Sequence, residues 1–209
     1  MQAGDILFKF LIILVSLVIH DFAHAYAAYK NGDETAFRAG RLTLNPLPHL
    51  DVFGSVILPL VIAYSTGGGF FGWAKPVPIN PNNFRNYKRG LIATSFAGVF
   101  ADIMLAIVFG ILMRVLSAHD LLTAPMHFVL SYVVIINISL FLFNLIPVPP
   151  LDGSKILFAL LPAQSSYKLE VFLEKYRIIL IILVILFFGS IIFPAALFLY
   201  KLFTGMIFI

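Results

Sequence analysis

The chain contains no cysteine and one tryptophan, and Asp, Glu, Lys and Arg together make up only 11% of its 209 residues. Without cysteine there is neither a disulfide framework nor a thiol nucleophile, and the redox compartment is left open. So little charge, with 61% hydrophobic residues and a mean hydropathy of +1.00, excludes a water-soluble globule. The formal net charge is +4, but Lys and Arg are scattered through polar connections without interleaved aromatics. Charges placed in this way set membrane topology, so nucleic acid is not an expected partner. The composition describes an all-α polytopic membrane protein, with no soluble domain, internal repeat or low-complexity tract. The 22 phenylalanines are expected to face lipid and to pack between helices.

The first apolar run, residues 6–29, is long enough to cross a core of roughly 30 Å at about 1.5 Å per residue. Asn31, Gly32 and Asp33 end it with turn chemistry. It exceeds the roughly 7–15 residues of a signal core and has no small-residue cleavage site after it, so it is expected to remain in the mature protein. Residues 52–66 are short for a crossing and contain Gly54 and Pro59, which suits a re-entrant or hairpin segment. Glycines at 67–69 and 72 lead into a proline-bearing tail, Trp73 to Pro78, whose missing donors suit an edge strand. Spanning helices are predicted over 90–118 and 127–145, a short helix over 154–161, and a water-exposed charged stretch over 168–177. Residues 178–209 fit either one long tilted helix or a hairpin of two short ones. The expectation is a single integral membrane domain, 1–209, with about five to six transmembrane helices.

Three ionisable residues, His20, Asp21 and His24, fall within five positions of the first run, where such groups are costly and mark function. Positions i and i+4 share a helix face, so both imidazoles can meet one metal ion. A pair of buried histidines bonded to neighbouring helices has the same spacing, and a third ligand is what decides. Pro147, Pro149 and Pro150 cannot continue the helix over 127–145, and the break they make frees the carboxylate of Asp152. Two imidazoles and a carboxylate are a common catalytic zinc set that leaves the fourth position to water. Asp102, near the middle of 90–118, is expected to face inward.

HDFAH at 20–24, RLTLNPLPHLD at 41–51, GWAKPVPINPNNFRN at 72–86 and NLIPVPPLDG at 144–153 together resemble the site-2 protease family of intramembrane zinc metalloproteases, in the compact form without a PDZ domain. The resemblance places a protease-like core over about residues 6–162. It implies one zinc per chain held by His20, His24 and Asp152, with a re-entrant or β-hairpin-like segment near it. It also puts Asp21 in the position of the water-activating base and Asn144 in that of an oxyanion donor. Trp73, Ala74, Lys75, Pro76 and Val77 become a substrate-binding edge, with His49 and Asp102 as accessory positions. The implied reaction is hydrolysis of peptide bonds within transmembrane segments of membrane protein substrates.

Two departures stand out. The family motif is HExxH, and aspartate at 21 shortens the base by a methylene, about 1.5 Å of reach, where a misplacement of about 1 Å can cost around a hundredfold. Asp102 stands where the family has a neutral asparagine. Two alternatives therefore remain open: a catalytically impaired member that binds membrane proteins, and a membrane metal or ion carrier, which requires a ladder of polar groups across the bilayer. The positive-inside rule puts the metal side at the cytoplasmic face, in the plasma membrane of a prokaryote. The oligomeric state is left open.

Overall fold

The computed structural model describes residues 3–58, 61–62 and 75–208. In chain order its helices are α1 (Ala3–Lys30), α2 (Thr35–Arg38), α3 (Tyr87–Ala118), α4 (Ala124–Asn144), α5 (Asp152–Leu160), α6 (Ala163–Lys175), α7 (Arg177–Phe187) and α8 (Phe193–Thr204). No strand occurs among the described residues. Four stretches are long and apolar enough to cross a bilayer: Leu7–Lys30, Tyr87–Ala118, Ala124–Asn144 and Arg177–Thr204. The protein is an all-α membrane protein.

Five to six spans were expected and four are found among the described residues, for two reasons. Residues 177–204 make one span, in which a π-helical turn at Phe188–Ile192 joins α7 to α8 and Pro194 sits in the first turn of α8. The helix-breaking residues are thus absorbed at the changeover from π to α bonding, where backbone pairing shifts anyway. The second reason is that 52–66 is described only at 52–58 and 61–62. There a π-helical turn, Val52–Ile57, is capped by Asp51, which accepts from the Gly54 N–H at 2.6 Å. The edge-strand expectation falls partly outside the described residues, which omit Trp73 and Ala74; Lys75–Asn80 carries no strand. The charged stretch expected in water forms much of α6.

Helix α1 ends where the sequence changes chemistry. The Asn31 side chain donates to Ala27 O at 2.7 Å, and Gly32 takes φ +107°, in the left-handed region glycine tolerates. Buried Asp33 then fastens the loop before α3. It accepts from Thr35 N–H at 3.1 Å, Asn83 Nδ2 at 2.8 Å and Asn80 N–H at 2.7 Å. Burial tends to raise this carboxyl, but the donors on Thr35, Asn83 and Asn80 outweigh it and hold the group below the ordinary carboxylate range.

Helix α3 is the centre of the bundle and packs against α1, α4, α5 and α8. Its buried face runs through Gly90, Thr94, Gly98, Asp102, Ala106 and Gly110, every fourth residue and none of them large. Small residues on one face let neighbouring backbones close in, which drives helix association where lipid is as apolar as the side chains. At Gly110 an added Cβ would stand 2.8 Å from Phe203 Cβ on α8. Ala106, Met113, Leu130, Val134, Ile135, Ile138, Ala196 and Tyr200 form the apolar core between α3, α4 and α8. Asn137 donates to Ser16 Oγ at 3.0 Å and ties α4 to α1. Interhelical bonds of this kind average about 0.6 kcal/mol in membranes, so close packing carries most of the association.

Candidate metal centre

Three elements meet at one point. His20 and His24 lie one turn apart on α1, α3 crosses beside them at Gly98, and the break after α4 delivers Asp152 as the first residue of α5. His20 Nε2 and His24 Nε2 are 2.9 Å apart; Asp152 Oδ2 lies 2.9 Å from His24 Nε2 and 3.3 Å from His20 Nε2. All three side chains are buried. The site is closed by glycines at two places. A Cβ at Gly98 would stand 2.7 Å from His20 Nε2 and nearer still to His24 Nε2. A Cβ at Gly153 would stand 2.6 Å from Ile146 O, so only glycine seats the start of α5 against the end of α4.

The outer ring nitrogens decide what the inner ones present. His24 Nδ1 lies 2.7 Å from the Thr94 carbonyl, which can only accept, so Nδ1 carries the hydrogen and Nε2 offers a lone pair. His20 Nδ1 faces Asp102 Oδ2 at 2.8 Å and likewise donates outward. Two imidazole lone pairs and a carboxylate oxygen therefore converge in a buried space, an arrangement that repels itself unless a cation sits among them. A tetrahedral zinc with bonds of about 2.0 Å separates its donors by about 3.3 Å, close to the triangle observed. The donor set fits zinc, and the outward hydrogen bonds are the kind that fix ligand tautomers at metal sites.

Comparison with known proteins agrees. The sequence profile described as Peptidase family M50 matches residues 115–188. A Bacillus subtilis (strain 168) protein called "Putative zinc metalloprotease YwhC" is 38% identical over 162 residues, covering 75% of this chain and 70% of the relative. The chain belongs to peptidase family M50. Rip2 of Mycobacterium tuberculosis (strain ATCC 25618 / H37Rv), which carries the same description, is 33% identical over 144 residues, covering 67% of this chain but 52% of Rip2. A Methanocaldococcus jannaschii protein of that description is 28% identical over 157 residues, covering 72% of each chain. No solved structure matches. M50, the site-2 protease family, is one of zinc metalloproteases, so zinc is the cofactor, and His20, His24 and Asp152 form a group that could hold it.

Against that M50 background, the other sequence-derived candidates divide. Asp102 is fully buried and bonded to His20, with its Oδ1 unpartnered among the described residues. Asp21 does not turn to the ligand triangle through Oδ2, which lies 3.2 Å from His49 Nδ1 and 3.7 Å from Arg41 Nη2. Asn144 donates to Leu140 O of its own helix at 3.1 Å, and no bond joins it to the triangle. Of the substrate-binding candidates, Lys75 is joined to His49 and Arg41 through its backbone, Pro76 is exposed and Val77 half-buried, while Trp73 and Ala74 lie outside the described residues.

Sequence reasoning missed Arg41, Lys155, Gly98 and the Thr94 carbonyl as site components. Lys155 Nζ donates to Asp152 Oδ1 at 3.0 Å, which leaves Oδ2 turned toward the imidazoles. The i, i+3 spacing of Asp152 and Lys155 on a helix was the available signal. For Gly98 the signal was the four-residue repeat of small residues along α3. Nothing local marked Thr94, because a backbone carbonyl has no sequence signature.

Proposed function

We propose that the protein is an intramembrane zinc endopeptidase that cuts transmembrane segments of other membrane proteins. What carries this reading is the buried triangle of lone pairs from His20, His24 and Asp152, with both outer imidazole nitrogens locked as donors. When bound, zinc supplies Lewis acidity toward the scissile carbonyl and lowers the pKa of water. In this reading Asp21 takes a proton from the attacking water and returns it to the leaving amide nitrogen as the C–N bond breaks. Asn144 can donate to the developing oxyanion once its amide leaves the Leu140 carbonyl. An intact substrate helix has no free backbone bonds, so it must unwind before attack, and the segment from Trp73 to Val77 is suited to hold it by β-addition. The test is cleavage of a single-span substrate in detergent alongside bound zinc. The wild type is expected to cut and to hold one zinc per chain, and His24→Ala to lose both; zinc retained in full by His24→Ala would refute the ligand set.

The orientation proposed puts the metal side at the cytoplasmic face of a prokaryotic plasma membrane. α1 and α4 both end on the side of the triangle and α3 begins there. Of the 14 Lys and Arg residues, only Lys9, Arg114 and Lys201 lie toward the opposite ends of the spans. The chain has no cysteine, so single cysteines at Asn31, Asn86 and His119 report cleanly. An impermeant reagent added outside intact cells is expected to label only the cysteine at position 119. Labelling at position 86 would overturn the orientation.

A further inference from the structure

Next to His20 in the chain, Asp21 belongs to a second cluster that the proposed ligation does not use. His49 is 1% exposed and Arg41 4% exposed, although both come from the loop after α2. Both ring nitrogens of His49 are engaged: Nε2 donates to Thr43 O at 2.9 Å, and Nδ1 lies 3.2 Å from Asp21 Oδ2, a contact that holds with one proton between the two atoms. An imidazole buried in this way is placed to hold the Asp21 side chain in position. Arg41 Nη2 faces the same Oδ2 at 3.7 Å and donates to Lys75 O at 2.5 Å. The Lys75 N–H in turn donates to His49 O at 3.0 Å. Both backbone polar groups of Lys75 are therefore spent on the two residues that grip Asp21.

We propose that His49 and Arg41 are positioning residues that join the Asp21 carboxylate to the backbone of Lys75, so that the proposed base and the proposed substrate-holding segment are set as one unit. This deepens the protease reading and rests on it for the roles of Asp21 and of 75–80, while the coupling itself is a property of the resting chain. Gripping Oδ2 leaves Oδ1, which takes no hydrogen bond among the described residues, on a side chain still 13% exposed. One oxygen fixes the position and the other stays free to accept a proton. Such a device answers the shortened side chain: aspartate reaches less far than glutamate, and its remaining freedom is reduced by the His49 ring and the Arg41 charge from a separate loop. At 41 a single nitrogen, Nη2, serves the Lys75 carbonyl and faces the Asp21 carboxylate together.

The test is hydrogen–deuterium exchange of a peptide covering residues 75–80 in the full chain, with bound zinc measured in each sample. Asp21→Ala is expected to speed that exchange about tenfold or more, although residue 21 lies on α1, while Asp21→Asn, which keeps a polar group of the same shape against His49 and Arg41, stays near wild type. Exchange unchanged in Asp21→Ala overturns the coupling, whether or not the chain cuts anything. A wild type that cuts nothing but shows this exchange pattern upholds the coupling and removes the protease reading instead. In an active chain, His49→Gln keeps a donor for Thr43 O but loses Asp21. Its kcat is expected to fall about a hundredfold, with KM and zinc unchanged, and His49→Asn, whose amide replaces Nδ1, should recover most of that loss. An equal fall on adding His49→Gln to Asp21→Asn would show that His49 does not act through Asp21, and would overturn the proposal.

Discussion

Gly98→Ala is expected to empty the metal site while leaving the chain folded in the membrane. The new methyl would stand 2.7 Å from His20 Nε2 and closer to His24 Nε2, two atoms of the proposed ligand set. Neither ring can swing aside without losing its partner, Asp102 Oδ2 for His20 and the Thr94 carbonyl for His24. Both partners belong to α3, the helix that carries Gly98, so moving α3 away to fit the methyl pulls on the same two bonds. Loss of an outer partner alone typically costs about 10–100-fold in metal affinity, and this substitution disturbs two ligands at once, so a loss of at least 100-fold is expected by competition with a chelator. Gly189→Ala is the control: a Cβ there meets nothing within 4 Å, and zinc content is expected to match wild type. Full zinc occupancy in Gly98→Ala, with unchanged affinity, would show that α1 and α3 are not held as closely as described.

The grouping of His20, His24 and Asp152 was legible because each obeys a local rule. His20 and His24 follow helical spacing, and the prolines before Asp152 announce a broken helix. The inward turn of Asp102 was legible from the cost of an acid in lipid, but its partner was not, since pairing with His20 depends on how α3 crosses α1. Arg41 illustrates the limit more sharply. On sequence it is one loop cation among several, counted with the topology-setting charges; in the structure it is buried and spends its guanidinium on Asp21 and Lys75. Only the tertiary placement of the loop separates it from Arg38, which pairs with Glu34 at the surface. The last span shows the converse. Gly189, Ser190 and Pro194 suggest a hairpin corner as readily as a continuous helix, and no local rule counts in advance the single π turn that absorbs them.

The aspartate at 21, the proposed base, gives the other large effect. Asp21→Asn is expected to lower kcat by about 10²–10⁴, the range that a positioned acid or base contributes, with zinc content unchanged. The amide keeps the carboxylate's shape and can pair with the His49 ring, so the surrounding cluster is kept while the proton acceptor is lost. Asp21→Glu restores the family's length, adding about 1.5 Å of reach, and is expected to keep or raise activity. The two variants also separate the alternatives left by an aspartate at this position. A wild type that cuts, an Asn variant that does not and a Glu variant that cuts at least as well identify Asp21 as a working base. A silent wild type with an active Glu variant identifies a disabled protease, in which the His49 and Arg41 grip outlasts the chemistry it serves. An Asn variant as active as the wild type would remove Asp21 from the mechanism altogether. That last result would direct attention to Asp102, a fully buried carboxylate with an unpartnered Oδ1 among the described residues, already bonded to His20.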